Sequence, residues 1–294
     1  MSRGAVFALL AYGAWGLSPI FWKELVHLPV GLVLAHRVIW AAVVFYFLLR
    51  FSGGAKGLGR AMASRSGLIL FATAVLLVAN WFIYLLAVNT DRILDASLGY
   101  FINPLLNVVL GMLVLGERLR GAQWIAVGLA AAGVLRLATA ADHFPWIALA
   151  LAGSFGLYGL LRKTAPQDAL LGSNIETGYM IPFAMLFLLT PSAGGEAMQG
   201  LESVDWLLLL GTGLQTALPL LWFSSAARLL PLSTLGFFQY IAPSLQFLLA
   251  VFWFGEPFDA VKLQSFGLIW AALAVFSFEA DQHRRRAARV PLQA

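Results

Sequence analysis

Cysteine is absent from the 294 residues. That excludes disulfide frameworks, thiolate metal sites and cysteine nucleophiles. Charge is scarce as well: Asp, Glu, Lys and Arg make up 11% of the chain and hydrophobic residues 61%, against a usual ~25% and ~45–50%. So few charges cannot keep the surface of a soluble globule wet. The four histidines, at 27, 36, 143 and 283, lie on separate segments; no HExxH motif and no nucleotide-binding P-loop occur. No cofactor or metal is expected. The net charge of +5 does not point to nucleic acid, because the basic residues sit between apolar runs and in one tail, HRRRAAR at 283–289, as topology signals do.

What the chain has is long apolar runs. A span needs ~20 apolar residues, and ten are placed at 4–21, 30–50, 68–88, 95–115, 120–138, 145–161, 172–190, 206–224, 234–254 and 260–279. The first, GAVFALLAYGAWG after Arg3, has the look of a signal peptide, but the many runs behind it argue for a retained span. Lys and Arg collect in cytoplasmic loops. With the N-terminus inside, Lys23, Arg92, Arg136 and Lys262 fall outside, Arg37 falls within a span, and every other Lys and Arg falls inside. Both termini are therefore expected in the cytoplasm.

Two of the runs nearly repeat. SLGYFINPLLNVVLGMLVLGE at 97–117 and TLGFFQYIAPSLQFLLAVFWFGE at 234–256 each carry a proline, Pro104 and Pro243, at the same distance before a glutamate, Glu117 and Glu256. Proline inside a helix frees the carbonyl four residues back, here Tyr100 and Gln239. In hydrocarbon such a group needs protein or a water-filled cavity. Weaker echoes run elsewhere: GAWG (13–16) with GLYG (156–159), Gly128 with Gly267. Five spans is an odd number, so a second copy enters the membrane inverted. The expected fold is an all-α polytopic membrane protein of ten transmembrane helices, as two inverted-topology five-helix repeats at 1–141 and 142–294. Paired helix breaks of this kind mark transporter binding sites at the midplane.

The words AYGAWGLSP (11–19), LAHRVIW (34–40), NWFIYLLAVN (80–89), ASLGYFINPLLNVVLGMLVLGERL (96–119), FGLYGLLRK (155–163), QYIAPSLQFLLAVFWFGEP (239–257) and FGLIWAAL (266–273) resemble the EamA-type members of the drug/metabolite transporter superfamily, most closely the RarD subgroup. The resemblance covers nearly the whole chain. It implies a ten-helix transporter of 5+5 inverted repeats with a central cavity, in the bacterial cytoplasmic (inner) membrane, and a link with chloramphenicol sensitivity that names a phenotype and no substrate. Span seven, SNIETGYMIP, departs slightly, with glycine where an aliphatic residue is expected.

Arg37 is the sharpest candidate. At ~1.5 Å per residue it lies about 10 Å below the outer boundary, where a charge is costly unless paired or watered. It either faces a cavity and draws an anion, or snorkels, or ties to Asp91 or Asp95. His36 reads as a structural hydrogen-bonder or a proton site. Glu176 lies opposite Arg37 in the repeat but too far in depth for a direct pair; it either serves as a proton or cation site or pairs with Arg162 or Lys163. Glu117 and Glu256 read as caps for the helices that follow each. Tyr100, Asn103 and Asn107 share one helix face, as do Gln239, Pro243 and Gln246, with Tyr240 adjacent; Asn80 and Gln215 sit near mid-depth. These amides line a cavity or join helices. Trp15 and Trp81 are expected at the cavity; Trp40, Tyr84 and Tyr158 suit packing or an interfacial belt. Glycines 13 and 16, and 153, 156 and 159, read as close helix contacts.

The expected function is a secondary transporter moving a small polar or amphipathic metabolite or drug by alternating access. Its expected partners are the lipid bilayer, the substrate and a proton or counter-substrate, with no nucleic acid. A channel-like pore and an intramembrane enzyme acting on a lipid-linked substrate are the alternatives. No nucleophile–base set supports the enzyme.

Overall fold

The computed structural model describes residues 1–53, 58–62, 64–89, 93–139, 144–191, 195–253 and 260–289. Among them no strand occurs. The helices are α1 (Arg3–Leu17), α2 (Pro19–Lys23), α3 (Val30–Phe51), α4 (Leu58–Met62), α5 (Arg65–Asn89), α6 (Ile93–Leu115), α7 (Gly121–Ala138), α8 (Trp146–Thr164), α9 (Ala169–Leu189), α10 (Ser203–Leu229), α11 (Leu232–Gln239), α12 (Ile241–Leu248) and α13 (Ala260–Arg289). Caps start them where the sequence supplies a short polar side chain: Ser2 Oγ accepts from the Ala5 amide at 3.3 Å, and Asp168 Oδ1 from the Leu171 amide at 2.9 Å.

Eight helical segments are long and apolar enough to cross a membrane. Their outer surface is apolar, with Phe51, Leu113 and Phe252 each about four-fifths exposed, as a lipid solvent demands and water would not. The chain is a polytopic α-helical membrane protein. The expected spans at 145–161 and 172–190 coincide with α8 and α9, which are not among the eight. Arg162 and Lys163 on α8, and Asn174 and Glu176 on α9, dilute their apolarity, and Arg162, Asn174 and Glu176 are buried among neighbouring helices. Hydropathy counts such residues as wet; here the protein itself solvates them.

Most helix pairings cross the midpoint of the chain: α3 packs on α9 and α10, α5 and α6 on α8, α1 on α10 and α12, α6 on α11, and α7 on α13. The halves interlock. Two crossings depend on glycine. A Cβ on Gly213 would stand 2.7 Å from the Trp40 carbonyl carbon, where α10 meets α3, and one on Gly236 would stand 2.7 Å from the Pro104 carbonyl oxygen, where α11 meets α6. Of the other glycines expected at close contacts, Gly16 and Gly156 abut leucines of α12 and α6, Gly159 meets Phe223 at 3.4 Å, and Gly13 and Gly153 have open space beside them.

The two prolines behave differently. Pro104 lies mid-helix in an uninterrupted α6. The run at 234–254 instead breaks at Tyr240, between α11 and α12, and Pro243 falls in the first turn of α12. There its missing N–H has no intrahelical acceptor to lose, so a new helix begins with little penalty.

Glu117 departs from expectation more sharply. The following helix α7 is entered at Arg120, whose amide donates to Gln123 Oε1 at 2.9 Å. Gly116, at φ +67°, turns the chain out of α6 and sets the Glu117 amide on the Gly111 carbonyl at 3.0 Å. The turn carries the Glu117 carboxylate to α11, where it accepts from the Leu232 amide (2.6 Å), the Ser233 amide (3.0 Å) and Ser233 Oγ (2.6 Å). It caps a helix of the other half, where the amides of a first turn are otherwise unpartnered. Glu256 lies outside the described residues.

Candidate functional site

A cavity of about 850 Å3, counting its opening, lies where α1, α3, α5, α6, α10 and the α11–α12 break converge. Of the residues singled out in the sequence, Trp15, Arg37, Asn80, Trp81, Tyr100, Gln239, Pro243 and Gln246 line it, and so does Tyr84, expected in packing or an interfacial belt; Tyr12, Ser18, Trp22, Leu77, Phe155, Thr216, Leu220 and Ala242 complete the lining.

Arg37 sits against two indoles, its guanidinium carbon 4.1 Å from the Trp81 ring centre and 4.9 Å from that of Trp22, within range of cation–π attraction. Its Nε donates to Thr216 Oγ1 at 2.9 Å. Among the described residues no carboxylate pairs with it; Asp91 and the Asp95 side chain lie outside them. Thr216 was not readable as a partner 179 residues away, although Gly213, Thr216 and Leu220 fall at i, i+3 and i+7 on one face of α10. Gln215, the residue expected near mid-depth on this helix, is half-buried and away from the cavity.

The amides divide. Asn80 Nδ2 donates to the Leu151 carbonyl (3.0 Å) and Ser154 Oγ (2.9 Å), and Gln246 Nε2 to the Trp15 carbonyl (3.2 Å), so both brace helices while lining the space. Asn103 and Asn107 are buried off the cavity: Asn103 Nδ2 donates to the Ala152 carbonyl (2.9 Å), and Asn107 Nδ2 to Asn103 Oδ1 (3.0 Å) and Gln239 Oε1 (3.2 Å). Tyr240 is buried too, its hydroxyl donating to the Phe101 carbonyl at 3.3 Å. These three act as glue between helices, because the α6–α11 approach leaves them no open face. His36 also points away: its Nδ1 accepts from Trp40 Nε1 at 3.1 Å, which puts the imidazole proton on Nε2, and its ring stands edge-on to Trp206.

Aromatic rings pack behind part of the cavity wall. Trp15 and Phe155 on its wall contact Phe223 at 5.7 and 5.0 Å between ring centres, and Phe223 stacks on Tyr158 at 5.8 Å. Behind Tyr158 lies the second charged group. Arg162 and Glu176 are 0% and 1% exposed, with Nε and Oε1 3.5 Å apart. Thr73 Oγ1 (2.6 Å) and the Tyr158 hydroxyl (3.3 Å) donate to the Glu176 carboxylate, and Arg162 donates to Ser224 Oγ (3.4 Å) and the Ala169 carbonyl (3.2 Å). The guanidinium sits against α9 at Gly172, which has no side chain; a Cβ there would collide with Nη1. Lys163 turns aside and donates to the Leu230 and Ala227 carbonyls at the end of α10. Of the two partners considered for Glu176, the pair is with Arg162.

Residues 2–139 match the EamA-like transporter family. An uncharacterized transporter of Vibrio cholerae serotype O1 is 45% identical, with 98% of this chain and 96% of that protein aligned. Protein RarD of Escherichia coli K12 is 42% identical over 98% of both.

The chain belongs to the EamA-like transporter family, in its RarD subgroup.

A more distant RarD relative, the chloramphenicol-sensitive protein RarD of Pseudomonas aeruginosa, is 33% identical over 87% of each chain. A crystal structure with 19% identity superposes with a TM-score of 0.71 over 95% of this chain and 99% of that one, a likeness of fold alone. The family names denote transporters and no enzyme.

Proposed function

We propose that this RarD-type protein is a secondary carrier of the bacterial cytoplasmic membrane, built of ten spans in two inverted five-helix halves with both termini cytoplasmic. It moves a small polar or amphipathic organic molecule by alternating access. The observation that carries the proposal is the cavity itself: a polar and aromatic hollow beside the two proline-bearing segments, with Phe223, Tyr158 and the Arg162–Glu176 pair buried behind its Trp15 and Phe155 wall. A pore needs a continuous path, whereas a carrier needs a site closed to one side at a time.

The inverted plan is supported by partner choice. Arg37 on α3 is held by Thr216 of α10, and Glu176 on α9 by Thr73 of α5; in an inverted repeat α3 corresponds to α9 and α10 to α5. Glu176 is also the candidate for proton coupling. Glu176 lines a small gap whose Leu77 and Trp81 are shared with the main cavity, so a proton-linked rearrangement there would reach the site. His36, held by Trp40, is the weaker candidate.

Flux in proteoliposomes tests the reading. Saturable uptake with counterflow is the expected result; a non-saturating conductance would show a pore, and chemical turnover of the added compound an enzyme.

A further inference from the structure

We infer that the cavity selects a small monovalent carboxylate with a flat apolar body, and discriminates against neutral, zwitterionic and doubly charged relatives of the same shape; this rests on the carrier reading above. Among the described residues lining the cavity, Arg37 alone carries a charge, and no carboxylate among them pairs with it. An uncompensated cation inside a membrane protein is costly. The two indoles offset part of that cost through their ring faces but hold no negative charge. An anionic ligand completes the balance.

The geometry narrows the ligand further. The Nε–H is committed to Thr216, so the side edge of the guanidinium is taken and its η nitrogens remain for a carboxylate to meet end-on, in the paired contact that favours planar oxyanions. One guanidinium balances one negative charge, and among the described residues no lysine or second arginine lines the cavity to balance another. Among the described residues no acidic side chain lines it either, so the ammonium of an amino acid would enter without an ionic partner there. Elsewhere on the wall, Trp15 and Phe155 offer ring surface for the rest of the molecule.

Phenylacetate, phenylacetamide, phenylalanine and phenyl phosphate share a body and differ in charge. Equilibrium binding of the four to the purified full-length protein in nanodiscs, followed by calorimetry, is expected to show phenylacetate at least tenfold tighter than the other three. Arg37→Gln should erase that preference and Arg37→Lys should keep part of it. Equal binding of the amide, preference for the zwitterion or the phosphate, no binding of phenylacetate to monodisperse protein, or a preference that survives Arg37→Gln would each overturn the inference. The wild-type comparison stands even if a variant fails to fold. Counterflow of the same four compounds separates the two claims. Phenylacetate that binds selectively but never exchanges across the bilayer leaves the site's selectivity intact and removes the carrier; exchange of the amide or zwitterion without phenylacetate binding does the reverse.

Discussion

Asn107 and Gln239 join the two proline-bearing segments, the amide nitrogen of the first donating to the side-chain oxygen of the second at 3.2 Å. Gln239 is also a cavity residue, so this bond couples helix packing to the shape of the site. Asn107→Ala and Gln239→Ala are each expected to cost about 1 kcal/mol of stability, with a coupling of about 0.6 kcal/mol in a double-mutant cycle, the usual size for such bonds in membranes. Thermal unfolding in detergent measures it.

The Arg162–Glu176 pair separates folding from function. Glu176→Gln leaves a buried guanidinium uncompensated and should destabilise by about 3–5 kcal/mol. The double replacement Arg162→Met with Glu176→Leu removes both charges and should restore stability to near wild type while still impairing counterflow. Restored stability with full counterflow would mean that the pair has no part in closure.

Gly172→Ala drives a methyl group into Arg162 Nη1. We expect a loss of about 1–3 kcal/mol, as for other overpacked positions, and increased cysteine-probe access to position 158 in a Tyr158→Cys background. Unchanged access would show that the packing around Tyr158 tolerates displacement of the arginine.

Gly213→Ala wedges α10 from the Trp40 backbone, one turn from Thr216. The expected effect is a rise in KM for transport of severalfold as Thr216 withdraws from Arg37, with stability lowered by about 1–3 kcal/mol. Saturation kinetics in proteoliposomes give the KM.

Much of this molecule is legible in its sequence. Scarce charge and apolar runs announce the membrane, and the convergence of Trp15, Asn80, Trp81, Tyr100, Gln239 and Gln246 around Arg37 follows the proline-marked turns. The misses share a physical cause. Arg162 reads as a charge at the wet end of a span, because nothing local reveals that Gly172, Ser224 and Glu176 enclose it. Thr216 looks like any helical threonine until α3 is laid beside α10. Glu117 precedes α7 in sequence and is claimed by α11 in space, since the Gly116 turn points it elsewhere.

The reach of Glu117 also bears on biogenesis. The carboxylate that completes the first turn of α11 is synthesised 115 residues before the amide it receives. Until α11 is made, that carboxylate lacks the three donors of Leu232 and Ser233. Neither half emerging alone possesses that fastening, so the order of insertion and the permanence of the assembled pair are joined at a single side chain.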